Sequence, residues 1–409
     1  MPRRVRWALV IGSLAVALGL VEVGLRSVGG VFQDEFTQLD PIRGWVLRPG
    51  FAGWMAGERT LWVRINSDGL RDDEHARAAD PRTIRIAVLG DSYMQGLNVP
   101  LEHTFASFLE RRVSGCFAAA GRTAEVINFG VSGYGTAQEL LTYRHQAAGY
   151  APDLVLLAVY TNNDIANNHR RLNPVAFPEL SPYFLVQGDG LVDDQSVPRP
   201  VAPVHPWWRR GRLWLTGRSR VAQLLYLSWG GIRAWLGPAP ADDAETVPAD
   251  AGEASIYQPP ASADLAAAWQ VTEALLRELA NEVAANGSTL WITTLANTAQ
   301  ITPDLEARRA LERELGVDDL YYPDRRIRGV AEAIGVPVIS LAEPMADYAA
   351  RHRVHLQGGY TARVPEGAGH WNERGYQLAA DLVGERICAA APALAWRPRP
   401  RVPAAPTTP

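Results

Sequence analysis

A short apolar run, Ile84-Arg85-Ile86-Ala87-Val88-Leu89, stops at Gly90-Asp91-Ser92, and this handover constrains the fold of the 409-residue chain more than any other feature. Ile86, Val88 and Leu89 in a β-rich segment, with charge before it and Gly-Asp after it, describe a buried strand. Gly90 permits a sharp turn, and Pro100 to Arg112 then sets Phe105, Phe108 and Leu109 on one face of an amphipathic helix. Strand, turn and helix form the unit from which open α/β sheets are wound, and such sheets bind ligands beyond the carboxyl ends of their strands. A hydroxyl at that point makes Ser92 the candidate nucleophile. Asp and Ser are also ordinary turn and cap residues, so the assignment depends on what other segments supply.

Two familiar alternatives are excluded at once. Met94 stands where the second glycine of a Gly-x-Ser-x-Gly elbow belongs, and no Gly-Lys-Ser/Thr phosphate loop follows. A second strand, Ala124 to Asn128, ends in Asn128-Phe129-Gly130-Val131-Ser132-Gly133, where glycines allow close backbone approach and an amide can donate to an anionic oxygen. A third, Asp153 to Tyr160, empties into Thr161-Asn162-Asn163-Asp164, and an Asn amide there can serve a tetrahedral oxyanion. Near the chain's end, Gly369-His370-Trp371-Asn372 precedes a helix over Gln377 to Cys388, which sets a general base beside the sheet edge.

Together the four segments resemble the SGNH/GDSL hydrolase family in order and spacing, over residues 81–390. The family's blocks correspond to Gly90-Asp91-Ser92, to Gly133, to Thr161-Asn162-Asn163-Asp164 and to His370. The resemblance implies a three-layer, flavodoxin-like α/β fold around a parallel sheet. It also implies that Ser92 is the nucleophile, that His370 is the base, and that the Ser92 amide, the Gly133 amide and the Asn163 side chain form the oxyanion hole. No metal or organic cofactor is implied. Two positions depart from the pattern. Thr161 replaces a glycine, and Gly367 and Ala368 stand where the family places an Asp before its His. Glu366 is the expected substitute acid; without one, the site is a Ser-His dyad or a relic. Asp91 and Asp164 support loops in the family rather than the base. His352 and His355, among arginines, read as a solvated surface and not as a metal pair.

Further strands over Ser288–Leu295 and Val336–Leu341, with a helix over Ser262–Ala285, continue the alternation expected of a parallel sheet. Arg3, Arg4 and Arg6 precede an uncharged apolar stretch from Trp7 to Val21, the pattern of an export signal. Read on to Leu25 it approaches the length of a membrane span, so an uncleaved single-pass anchor with an extracytoplasmic body is expected. The expected organisation is an anchor at 1–30, a β-rich lead-in at 31–80 carrying Trp45, Trp54 and Trp62, a hydrolase domain at 81–390 with an insertion at 172–261, and a Pro-rich tail at 391–409. Within the insertion, Arg209, Arg210, Arg212, Arg218 and Arg220 cluster near Trp207, Trp208 and Trp214, and Ser219 caps a helix running to Leu236. That helix suits either a membrane interface or a cap over the core. In a flavodoxin-like sheet the first and last helices share a face, which brings Cys116 and Cys388 within reach of a disulfide. A net charge of −4 and the lack of any nucleic-acid motif exclude a general nucleic-acid binder.

The expected function is a membrane-tethered serine esterase acting on an O-acyl ester of an envelope carbohydrate, or of a lipid. Transfer of the acyl group to a sugar by the same intermediate is an alternative. The rival from another class is a non-catalytic protein that keeps the fold to bind polysaccharide, motivated by the missing Asp.

Overall fold

The structure, a computed structural model, describes residues 2–27, 36–78, 80–173, 175, 178–188, 190–194, 196, 215, 218–236, 253–361 and 364–394. The arginines and tryptophans at 207–214, the loop at 237–252 and the tail from 395 lie outside them.

Helix α1 (Arg3–Ser27) opens the chain and is long and apolar enough to cross a membrane, or to serve as a signal sequence, by length and composition. Two antiparallel hairpins follow, β1 (Thr37–Asp40) with β2 (Gly44–Leu47), and β3 (Ala52–Ala56) with β4 (Thr60–Arg64). Side-chain alternation gives the second hairpin two faces. Met55 and Val63 turn inward, while the cross-strand neighbours Trp54 and Trp62 stay exposed and meet edge to face. The inward face closes a small core with Leu47, Phe51, Ile65, Val131 and Tyr134. The lead-in is thereby packed onto the glycine loop that the sequence singled out.

Strand β5 (Thr83–Leu89) leads into the short helix α2 (Ser92–Gln95) and then α3 (Phe105–Ala119). Strand β6 (Thr123–Asn128) precedes α4 (Thr136–His145), and β7 (Leu154–Val159) precedes α5 (Asp164–Asn167). The hairpin β8 (Phe184–Gln187) with β9 (Gly190–Asp193), then α6 (Arg220–Leu236) and α7 (Ala263–Ala285), come before β10 (Thr289–Thr294). Helices α8 (Thr298–Ile301), α9 (Leu305–Leu315) and α10 (Tyr322–Ala333) lead to β11 (Val338–Ser340), α11 (Ala342–His352) and α12 (Glu373–Leu394).

The five core strands pair in the order β11-β10-β7-β5-β6, all parallel. This is the flavodoxin-like winding. Strand parity sorts the interior into two layers. Ile84, Ile86 and Val88 pack with Leu109 of α3, Met345 of α11 and Val383 of α12, whereas Ala87, Leu89 and Val155 pack with Leu140 of α4, Leu275 of α7 and Ile327 of α10.

The helix expected over Pro100–Arg112 begins later and runs further. Thr104 is extended and its hydroxyl caps the Ser107 amide, so a 3-10 turn at Leu101–His103 ends there and α3 continues to Ala119. The ends of α3 and α12 are joined by a disulfide between Cys116 and Cys388, whose Cα atoms are 5.7 Å apart. Helix α6 lies against α1. Glu22 of α1 accepts the Ser219 hydroxyl at 2.9 Å and the amides of Arg220 and Val221 at 3.0 and 3.1 Å, filling the N-terminus of α6.

Candidate active site

At the carboxyl end of β5 the chain turns into α2. Asp91 caps this helix by accepting the Tyr93 amide at 2.9 Å, which leaves Ser92 as the first helical residue, half-buried at the sheet edge. His370, just before α12, sets its Nε2 2.7 Å from the Ser92 Oγ. A serine hydroxyl has one proton to give. Its 3.4 Å contact with Asp91 Oδ2 is long for an O–H donor, so the imidazole takes it. The candidate nucleophile and the candidate base are therefore within hydrogen-bond reach.

The other imidazole nitrogen meets a residue the sequence did not nominate. His370 Nδ1 lies 2.7 Å from Oε1 of Glu58, in the turn between β3 and β4, and the His370 amide also donates to Glu58 Oε1 and Oε2 at 3.0 and 3.2 Å. A carboxylate only accepts, so Nδ1 carries a proton and Nε2 presents its lone pair to Ser92. Glu366, expected in this role, instead lies beside Gly359. The Nδ1 proton is already taken by Glu58. Sequence spacing gave no pointer to an acid 312 residues away. The signal that was present is indirect: glycines at 367 and 369, both at positive φ, flank the position where an acid is absent.

Aromatic packing fixes the imidazole from below. The buried Tyr93 ring lies 4.7 Å from that of His370, 4.5 Å from Tyr160 and 5.0 Å from Trp371. Trp371 is held in turn, its Nε1 donating to the Ala296 carbonyl at 3.0 Å and its carbonyl accepting from Asn98 Nδ2 at 2.7 Å.

The remaining nominated residues sit on the neighbouring loops. Gly133 occupies the third position of a turn closed by the Tyr134 amide on the Val131 carbonyl at 3.2 Å, and its φ of +80° is one that glycine adopts without strain. The Ser132 amide donates to Gln95 Oε1 at 2.7 Å, tying this turn to α2. Outside the helices and strands, no backbone carbonyl of a described residue accepts from the Ser92 amide or the Gly133 amide. Asn163 directs its Nδ2 to Asp91 Oδ2 at 3.2 Å. Behind it lies a group of buried acids. Burial, and then the charge of Asp91, pushes Glu139 well above the ordinary carboxylate range; burial, then Glu139 and Asp91, does the same to Asp164. Both Glu139 oxygens and Asp164 Oδ1 lack a hydrogen-bond partner among the described residues. The exposed His352 at the end of α11 sets its ring 4.3 Å from that of Tyr348, tilted by 37°. Among the described residues no group of three His, Cys, Asp or Glu stands ready to hold a metal.

Residues 88–378 match the model of the GDSL-like lipase/acylhydrolase family. Similar solved structures include an acetyl xylan esterase, at 13% identity over 74% of this chain and 100% of that chain, with a TM-score of 0.37. The acetylxylan esterase Axe2 from Geobacillus stearothermophilus is 11% identical over 74% of this chain and 93% of its own, with a TM-score of 0.37. A GDSL-like lipase from Bacteroides thetaiotaomicron is 13% identical over 77% and 93% respectively, with a TM-score of 0.34. None of the curated proteins matches the chain.

Proposed function

The chain belongs to the GDSL-like lipase/acylhydrolase family and is an ester-hydrolysing enzyme, and from that premise we propose that it is an extracytoplasmic serine esterase removing an O-acyl group from an envelope carbohydrate. The observation that carries the chemistry is the 2.7 Å contact between Ser92 Oγ and His370 Nε2. Ser92 Oγ attacks the acyl carbonyl as its proton passes to Nε2. The carbonyl electrons move to oxygen, where the Ser92 and Gly133 amides and the Asn163 side chain receive the charge. The carbonyl then re-forms, the alkoxide leaves with the proton from His370, and the acyl group remains on Ser92. Water repeats the sequence with His370 again as base, releasing the carboxylic acid and restoring the serine.

The location rests on α1, with its arginines before a long apolar run, read as an uncleaved anchor. A disulfide between Cys116 and Cys388 accords with an oxidising compartment. The carbohydrate follows from that location, since a tethered domain outside the cytoplasm meets acylated envelope polymers; a lipid ester is the other substrate within its reach.

The test is labelling of the full chain in detergent with a fluorophosphonate, followed by peptide mapping. Label on Ser92 and none in Ser92→Ala is expected, with free acid released from an acylated polysaccharide. Folded protein that takes no label would transfer the case to the polysaccharide-binding reading, and acyl transfer without free acid would mark a transferase.

A further inference from the structure

The family resemblance left the histidine without its acid, and the acid that meets it belongs to a segment outside the 88–378 match. We propose that Glu58 is the positioning residue of the Ser92–His370 pair, and that the β3–β4 hairpin is a working part of the active site. The inference rests on the esterase reading given above.

Separate observations converge on Glu58. Its carboxylate receives three contacts from one residue, the imidazole Nδ1 and the backbone amide of His370, so both ring and backbone are fixed by it. Its side chain is 20% exposed, which shields the charge from water and strengthens its hold on the imidazolium formed during turnover. The residue before the histidine is shaped to admit it. A Cβ on Gly369 would fall 2.4 Å from Glu58 Oε1 and 2.7 Å from its Cδ, and the φ of +74° there disfavours any other residue.

The hairpin itself is anchored on both sides of the site. Arg59, next in sequence, reaches Glu373 at the start of α12 at 3.1 Å and lies over the Tyr360 ring at 5.8 Å. At the other end the lead-in core packs on Val131 and Tyr134, and Trp45 Nε1 donates to the Ser132 carbonyl at 3.0 Å. The lead-in therefore touches the oxyanion loop and the histidine loop together. Glu58 fixes the Nδ1–H tautomer, keeps Nε2 aimed at Ser92, and balances the positive charge that appears when Nε2 takes the serine proton.

The experiment uses the full chain and ester turnover, with folding followed by thermal melting. Glu58→Gln is made in the native and the His370→Ala backgrounds. Loss of about 10² to 10⁴ in kcat is expected in the native background, with KM within about threefold, and no further loss where His370 is gone. Gly369→Ala should reproduce the loss when Glu58 is present and add nothing to Glu58→Gln. Glu366→Gln should turn over at about the native rate. Glu58→Gln within about threefold of native kcat, or an equal loss in both backgrounds, would overturn the assignment. A native chain with no Ser92-dependent turnover would overturn the esterase reading itself, and this proposal with it.

Discussion

Asn163 shows how a single side chain joins two parts of the site. Its Nδ2 rests on Asp91 Oδ2 at 3.2 Å, and the same Asp91 caps α2 through the Tyr93 amide, so the candidate oxyanion donor and the turn that carries Ser92 share one anchor. A preorganised donor of this kind contributes about 3 to 4 kcal/mol to the transition state. Asn163→Ala should thus lower kcat by about 10² to 10³ while the melting temperature stays near native; an unchanged kcat would remove Asn163 from the proposed oxyanion hole. The acids behind it play another part. Glu139 is pushed well above the ordinary carboxylate range by burial and then by the charge of Asp91, and Asp164 by burial and then by Glu139 and Asp91, so burial and mutual repulsion both disfavour negative charge in this group. At this scale Ser92, His370 and Asn163 could be picked out as candidates because each follows a strand or precedes a helix in a local motif, and the structure brings Ser92 and His370 into contact. Glu58 was not, because a turn between two short strands carries no mark of what it will touch.

The edge of the sheet shows the same division between local and long-range information. Strand β6 and the stretch after β4 meet through His75, whose Nδ1 lies 2.7 Å from Glu125 Oε1, while Arg85 of β5 holds Glu125 Oε2 at 2.6 Å. Burial works against a charged His75, but hydrogen bonds and charge from Asp72 and Glu125 outweigh it and raise its pKa to about 10. The folded state therefore holds this proton more tightly than the unfolded chain does. The stabilisation is complete below the usual histidine value of about 6.5 and is lost as the pH rises through about 10. Urea midpoints for the native chain should fall between pH 6.5 and 10, and His75→Gln should flatten that fall; the same slope in both would exclude His75 as its source. Periodicity identified the core strands and α7, whose apolar faces repeat regularly. It misplaced the start of α3 because Thr104, a cap, lies inside an otherwise helical pattern.

For the whole molecule, the disulfide and α1 bear on one question, the compartment. The bond between Cys116 and Cys388 joins α3 to α12 on one face of the sheet. If the body lies outside the cytoplasm as proposed, both thiols should resist maleimide in protein taken from membranes until a reductant is added. Immediate alkylation of both would contradict that location. The parallel α/β sheet, the candidate serine and histidine and the apolar N-terminal helix could all be read along the chain, because strand patterning, turn chemistry and long apolar runs are written in consecutive residues. The meeting of Glu58 with His370 Nδ1 and the packing of α6 on α1 emerge from the folded chain alone. Those contacts join segments hundreds of residues apart, and their partners are chosen by packing, which no local spacing encodes.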